Sequence, residues 1–435
     1  MPSRGYTERT PALRRLGRGV HYVCTRGICV DIPEQVKLLK RGTAAIIPED
    51  GLETKLRTAH EQGRPLTVKL GLDPTAPDIH LGTAVVLRKL RQFQNLGHQV
   101  VIIIGDFTAM IGDPAGKSET RPQLSRDEVQ ANARTYAEQY CRILDPEKTS
   151  VRFNSEWLGA MSFFDVIHLA AHMTVAQVME RDDFAKRWRE GRSISLHEVL
   201  YPLCQAYDSV VLQADIEMGG TDQMFNILAG RDLQQQFGQD PQVAMFMPLL
   251  VGLDGVQKMS KSLGNYVGIT ESPDVIYGKI MSISDDLMPT YFELATEIPM
   301  EEVTALLTDV RTGKIHPKAA KQRLAREIVS MYHGAEAAVK AEQEFERVHA
   351  LHDLPSDIPE VRVPDDAFRD GRIWICRLLV VAGMAKGTGQ ARRLVEQGGV
   401  ALDRIRIPSP DVEYTRADIA GAVLQVGNRR FVRLV

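Results

Sequence analysis

Residues 67–104 read TVKLGLDPTAPDIHLGTAVVLRKLRQFQNLGHQVVIII. Thr67 to Leu72 alternates in polarity and suits a strand. The connection Asp73-Pro74-Thr75-Ala76-Pro77-Asp78 follows, and its two prolines exclude helix there. His80-Leu81-Gly82-Thr83 then opens a helix. Leu81, Val85, Leu87, Leu90 and Phe93 give that helix its apolar positions, and Gly97 stands where a left-handed residue closes it. Gln99 to Ile104 is almost continuously apolar, as a strand covered on both faces should be. Strand, helix of about 15 residues and strand make a βαβ unit, which implies a parallel sheet. Ligands of such sheets lie at the carboxyl ends of the strands. Asp73 and His80 fall at one such end, and Gly105-Asp106 at the next.

The rest of the chain is compatible with this α/β reading. At about 150 residues per domain, 435 residues suggest roughly three domains. A hydrophobic share of 44% with 25% charged residues excludes wholesale disorder and low-complexity classes. No internal repeat is visible. No apolar run approaches the ~18 residues needed to span a bilayer, so no membrane partner is expected. The five cysteines, Cys24, Cys29, Cys141, Cys204 and Cys376, are odd in number and form no CxxC pair. A disulfide scaffold or structural zinc site is not expected, and a reducing cytoplasm fits. None of the 11 histidines has HExxH spacing, so no metal site is expected.

The net charge of −3 hides an asymmetry. Residues 372–435 carry 11 Lys and Arg against 5 Asp and Glu. A basic segment on an acidic body suits a polyanionic partner, or reflects solubility alone. Residues 1–30 hold 6 arginines and 1 acidic residue. This Arg-rich leader reads as a transit peptide, as a disordered extension, or as a segment outside the working protein, with a natural start near Val30. Amphipathic helical order begins near Pro33.

Gly112 to Ser118 invites a P-loop reading, but only three residues separate its glycines where four are required, and no strand immediately precedes it. A nucleotide site would instead use a helix N-terminus, with Gly82 allowing close approach of phosphate, and mobile cations. Val256-Gln257-Lys258-Met259-Ser260-Lys261-Ser262 supplies such cations in a flexible loop. By themselves two lysines are usually a solvated surface.

The combination carries more. His80-Leu81-Gly82 resembles the "HIGH" signature of class I aminoacyl-tRNA synthetases, and Lys258 to Ser262 matches their "KMSKS" signature in full. Ser195 to Asp208 reads as a helix opened by a Ser195/Glu198 capping box. Tyr201, Gln205 and Asp208 then share one face, which carries directional hydrogen bonders without Lys, Arg or Glu. This pattern resembles the amino-acid pocket of bacterial tyrosyl-tRNA synthetases, as does Gly219-Gly220-Thr221-Asp222-Gln223, expected after a strand Val210 to Ile216. The resemblance covers roughly residues 31–435.

The resemblance implies a Rossmann-like parallel-sheet catalytic domain over residues 31–270, an α-helical anticodon-region domain over 271–352, a linker over 353–371 and a small α+β S4-like RNA-binding domain over 372–435. It implies that Asp208 takes the substrate's phenolic hydroxyl. Asp113, Tyr201 and Gln205 would hold its α-ammonium group, with Gln223 near the carboxylate. Asp73, Thr75, His80, Gly82, Asp222, Lys258 and Lys261 would bind ATP, which arrives with Mg²⁺ as substrate; no tightly bound cofactor is expected. His80, Thr83, Lys258 and Lys261 would stabilise charge developing on the phosphates. The implied reaction is activation of tyrosine to its adenylate, then transfer to the 2′-hydroxyl of the terminal adenosine of tRNA(Tyr), by a homodimer. Thr83 departs from the second histidine of the signature. Lys69 stands where one bacterial subgroup carries a tyrosine that bonds the substrate hydroxyl, so discrimination leans on Asp208.

In the C-terminal segment, Ile373 to Met384 and Gln390 to Gln397 read as helices, with short strands near Val400 and Phe431. Arg377, Lys386, Arg392 and Arg393 would contact phosphates there. Two rival readings stand beside this one: a tryptophanyl-tRNA synthetase, against which Asp208 and the S4-like tail argue, and a non-catalytic RNA-binding relative, against which the intact KMSKS lysines argue.

Overall fold

The computed structural model describes residues 22–25, 28–73, 79–111, 128, 132, 139–349, 358–427 and 430–435. Thr75 and Asp113 lie outside the described residues. The chain divides into two compact units, Met1–Ala335 and Glu336–Val435.

In the first unit, strands β1 (Tyr22–Thr25) and β2 (Ile28–Asp31) pair as an antiparallel ribbon within the expected leader. Helix Ile32–Lys40 starts where Asp31 accepts the Glu34 N–H at 2.9 Å and Pro33 occupies the first turn. A six-stranded sheet follows, built from β3 (Ala45–Ile47), β4 (Thr67–Leu72), β5 (Gln99–Ile104), β6 (Thr149–Phe153), β7 (Ile216–Gly220) and β8 (Val243–Met247). Its order is β3-β8-β7-β4-β5-β6. All neighbours are parallel except β3, which runs antiparallel to β8 at the edge.

The βαβ unit falls where the sequence puts it. Helix Leu81–Asn95 joins β4 to β5, and Gly97 has φ +89°. Val100 to Ile104 are all buried, which is why the strand is apolar after its exposed first residue, Gln99. From β4 the chain winds outward through β5 and β6, then crosses back to β7 and β8. The order therefore reverses between β4 and β7, and a crevice opens at their carboxyl ends. Asp73 leaves one of those ends; Thr221-Asp222-Gln223 leaves the other.

One boundary differs from expectation. Val210 to Ile216 is not a strand: helix Leu196–Leu212 runs through Val210, Gln213 closes it in the left-handed region (φ +46°), and the strand is Ile216–Gly220. The apolar run 210–212 suits either state. Packing of this helix against Met224–Gln236 chooses helix, burying Ala206, Val210, Ala229 and Leu233 together.

Helices Pro273–Met281, Met288–Ala295, Met300–Arg311 and Pro317–His333 complete this unit. Ile276, Tyr277, Ile280, Tyr291, Phe292, Leu324 and Ile328 form their buried faces.

The second unit holds helix Ala335–His349 in its larger part, then a five-stranded sheet. Its strands are β9 (Glu360–Val361), β11 (Val400–Leu402), β12 (Ile405–Arg406), β14 (Val423–Val426) and β15 (Arg430–Leu434), in the order β12-β11-β14-β15-β9. A ribbon pairs β10 (Arg372–Trp374) with β13 (Glu413–Thr415). Helix Ile375–Val381 is shorter than the expected Ile373 to Met384, and helix Thr388–Glu396 starts two residues before the expected Gln390; they pack Leu378, Leu379, Ala391 and Val395 on the sheet. Part of the segment read as a linker is ordered: β9 is an edge strand parallel to β15, so this fold begins before residue 360. Among the described residues, no helix is long and apolar enough to cross a membrane.

Candidate functional site

At the helix start after β4, His80 is the N-cap of Leu81–Asn95. Its backbone is extended, and its Nδ1 accepts the otherwise orphaned Thr83 N–H at 3.4 Å. The remaining ring proton of the neutral imidazole then sits on Nε2. Gly82 lies directly beneath: a Cβ there would come within 3.1 Å of the His80 ring.

The KMSKS segment reaches the same place by backbone lacing. Leu81 N–H donates to Val267 O at 2.9 Å, and Ile269 N–H to Ile79 O at 3.1 Å. Asn265, fully inside the loop, accepts the Ser260 N–H (2.8 Å) and donates to Asp254 (2.7 Å) and to Lys258 O (3.2 Å). Met259 is buried beside it. The loop is thus anchored at Met259 and Asn265, with the two lysines outside the anchor. Lys258 Nζ pairs with Asp222 Oδ2 at 2.9 Å. Lys261 Nζ lies 5.7 Å from the centre of the Tyr266 ring, which itself is 6.4 Å from His80. Burial, then Lys261, then Lys258 push the His80 pKa down to about 4. His80 is therefore a neutral donor at physiological pH, facing two cations. This is a site that repels a third positive charge and attracts an anion.

Asp73, at the end of β4, is gripped from two sides: Tyr201 Oη donates to Oδ2 and Thr108 Oγ1 to Oδ1, each at 2.8 Å. Gly105 is required beside it, because a Cβ there would overlap both Asp73 Oδ1 and Thr108 Oγ1. Tyr201 starts the polar face of helix Leu196–Leu212. Gln205, one turn on, donates from Nε2 to Glu217 Oε1 at 3.1 Å. Asp208, about 10 Å along the axis from Tyr201, accepts from Trp157 Nε1 at 2.8 Å. Its carboxyl is pushed up to about 7, chiefly by burial and further by Glu217, while Lys69 and hydrogen bonds from Trp157 and Asn154 hold it down. Beneath this face, Lys69 and Glu217 form a buried ion pair at 3.1 Å.

At the other lip, Gly219 and Gly220 let the chain turn tightly: a Cβ would meet Ile227 Cδ1 at 2.6 Å in the first case and Asp222 Oδ1 at 2.6 Å in the second. Gln223 Oε1 accepts from Asn226 Nδ2 at 3.0 Å, and Asn226 in turn accepts from Arg181 at 3.2 Å.

Thus His80, Gly82, Thr83, Lys258, Lys261 and Asp222 gather at one end of the crevice, and Tyr201, Gln205 and Asp208 line one helix face leading from Asp73. Glu217, Trp157, Asn154, Thr108 and Asn265 were not foreseen. The one available signal was charge in an otherwise apolar strand: Glu217 in Ile-Glu-Met, like Lys69 in Val-Lys-Leu, is costly unless paired. In the second unit, Lys386, Arg392 and Arg393 are exposed, while Arg377 is half-buried and donates to Asp366 O at 3.1 Å. Arg392 is engaged with Asp411 at 2.8 Å and stacks over Trp374. Among the described residues, no cluster of His, Cys, Asp and Glu could hold a metal.

Residues 61–350 match the family model of class I tRNA synthetases for tryptophan and tyrosine (W and Y). A tyrosine--tRNA ligase of Moorella thermoacetica is 59% identical over 93% of this chain and 96% of its own length. One from Carboxydothermus hydrogenoformans is 52% identical over 93% and 98%. Among solved structures, a C-terminally truncated mitochondrial tyrosyl-tRNA synthetase of Aspergillus nidulans aligns with a TM-score of 0.59, covering 73% of this chain and 94% of that one at 19% identity. The tyrosyl-tRNA synthetase of Archaeoglobus fulgidus, solved with L-tyrosine, gives 0.57 over 72% and 100% at 22% identity. The structural likenesses speak to the fold.

Proposed function

The chain belongs to the tryptophan and tyrosine family of class I tRNA synthetases, and from that membership we infer how its crevice performs the reaction. It is a tyrosine--tRNA ligase, an ATP-dependent enzyme that activates tyrosine and transfers it to tRNA. The observation that carries the residue assignments is the convergence of His80, Lys261 and Lys258-Asp222 at one end of a crevice whose wall ends in the buried acceptor Asp208.

Tyrosine lies along helix Leu196–Leu212, its phenol donating to Asp208. Its α-ammonium group sits by Tyr201, Gln205 and Asp113, and its carboxylate by Gln223. An ionised carboxylate is a strong acceptor for a phenolic proton, and a phenyl ring would deny the buried Asp208 that bond while still excluding water from it. ATP, with Mg²⁺ as part of the substrate, lies over Gly82 with its ribose near Asp222 and its phosphates towards Thr75 and His80. The tyrosine carboxylate attacks the α-phosphorus and pyrophosphate leaves. No covalent enzyme intermediate is needed. His80 donates from Nε2, while Lys258 and Lys261 neutralise charge as it develops. Thr83 contributes through its N–H, which fixes the His80 tautomer. For Lys258, the Asp222 ion pair is the resting state, and exchanging that partner for phosphate is its step. The adenosine 2′-hydroxyl of tRNA then attacks the adenylate carbonyl, forming the tyrosyl ester as the acyl–phosphate bond breaks and AMP leaves with the hydroxyl proton.

Exposed Phe163, Phe164 and Ile167 on helix Phe163–Ala170 support a homodimer, since such a patch on a monomer would face water. The second unit, as an S4-like RNA-binding domain, would grip tRNA chiefly through Lys386 and Arg393, because Arg392 already has an acidic partner. A cytoplasmic location fits this role. Tyrosine-dependent ATP–pyrophosphate exchange, compared with tryptophan, tests the reading. Exchange driven equally by tryptophan would refute the Asp208 assignment.

A further inference from the structure

Lys69 and Glu217 are direct neighbours in the register between β4 and β7, so both side chains leave the sheet on one face. That face lies under helix Leu196–Leu212. Each side chain is only 1% exposed, and Nζ and Oε1 are 3.1 Å apart. Glu217 is saturated with donors. Oε1 takes Lys69 and Gln205 Nε2, and Oε2 takes Ser209 Oγ at 3.0 Å and Gln242 Nε2 at 2.5 Å. Helix Met224–Gln236 closes over this cluster at Gly230, where a Cβ would come within 2.7 Å of Ser209 Oγ and 3.2 Å of Glu217 Oε2. The Lys69 ammonium has three protons to place. One serves Glu217. Another points to the Gln205 carbonyl at 3.5 Å, one turn before Asp208 on the same helix. Glu217 is thus the direct ion-pair partner of this cation, and Asp208, one turn beyond the Gln205 carbonyl, lies within reach of its field. Glu217 has four donors to hold its charge, whereas Asp208 has Trp157 and Asn154. The carboxylate that depends on the lysine is Asp208.

We propose that Lys69 is a specificity-determining, positioning residue: its ammonium group, clamped by Glu217, supplies the counter-charge for Asp208 and so sets the preference for a phenol over a phenyl side chain. This rests on Asp208 being the acceptor of the substrate hydroxyl. The titratable groups that face Asp208 are Lys69 from β4, Glu217 from β7 and Cys204 from its own helix. The Cys204 thiol, pushed up to about 12 by burial, stays neutral in the working range. Lys69 favours the charged form of Asp208 and Glu217 opposes it, the lysine having the larger effect. A protonated Asp208 is a weaker acceptor for the phenolic proton and loses less when a phenyl ring leaves that bond unmade, so removing Lys69 erodes discrimination first near neutral pH.

The test is the ratio of kcat/KM for tyrosine to that for phenylalanine in ATP–pyrophosphate exchange, measured from about pH 5.5 to about pH 8.5. The ratio cancels ionisations common to both substrates, His80 included. In the parent enzyme it rises with pH through about 7, the value of Asp208. Lys69→Met should move that rise alkaline by about one pH unit or more and lower the ratio at pH 7 by about tenfold. Lys69→Arg should restore most of it, and Glu217→Gln should move the rise to acid. Should Lys69→Met fail to fold, the double variant Lys69→Met/Glu217→Gln removes both charges of the pair together. Its rise should still lie on the alkaline side of the parent. Equal losses for both substrates with an unmoved pH profile would make Lys69 merely structural and overturn the proposal. Asp208→Asn is the separate control: if it leaves the preference unchanged, the pocket assignment itself has failed.

Discussion

Replacing Asp208 by Asn should make the free protein more stable while making it less selective. Asn keeps the shape of Asp and an oxygen for Trp157 Nε1, and removes only the charge. Burial is the main reason the Asp208 carboxyl rises from an ordinary 3.8 to about 7. Roughly three pH units correspond to about 4 kcal/mol by which the ionised form weighs against the folded state. The sign follows from which state binds the proton. Below about pH 4 the group is protonated folded or unfolded, and it costs nothing. Between 4 and 7 the unfolded chain releases the proton while the folded one keeps it, so stability falls as pH rises. Above 7 the cost is complete. Asp208→Asn should therefore gain little near pH 4 and up to about 4 kcal/mol near pH 8, reduced by whatever Lys69 loses with its counter-charge. Urea unfolding at several pH values, followed by tryptophan fluorescence because Trp157 touches the site, measures this. A variant destabilised equally at all pH values, or a gain independent of pH, would refute the idea that residue 208 is a buried carboxylate held against its solvation.

Three further outcomes are expected. His80→Ala and Lys261→Ala should each slow pyrophosphate exchange by about a hundredfold with little change in tyrosine affinity by equilibrium dialysis; equal losses in both would contradict a transition-state role. Gly105→Ala should push Asp73 away from Thr108 and Tyr201, since the added methyl overlaps Asp73 and Thr108, and so raise KM for ATP; an unchanged KM would remove Asp73 from the nucleotide site. A chain ending at residue 349 should keep exchange and lose tRNA charging, and charging that survives would refute RNA binding by the second unit.

Local physics made much of this legible. The left-handed glycine at 97 and the unbroken apolar run from 100 to 104 act within a few residues, so the helix after β4 and the strand β5 could be placed from the sequence. The Ser195 capping box located the start of the pocket helix, and its period put Tyr201, Gln205 and Asp208 on one face. Val210 to Leu212 was illegible in the same terms, because an apolar triplet suits strand and helix equally. Its state is settled by Leu233 and Ala229 packing from another helix.

The amino-acid order alone settled the parallel α/β scaffold, the two signatures and the direction of the pocket helix, all of which depend on spacing along one segment. Tertiary structure decided what each polar group faces. Tyr201 meets Asp73 across 128 positions of chain, and Lys69 meets Glu217 only because β4 and β7 lie side by side where the strand order reverses. No periodicity encodes such pairings. They arise when burial strips water from polar and charged side chains, so that each must find its partners within the protein.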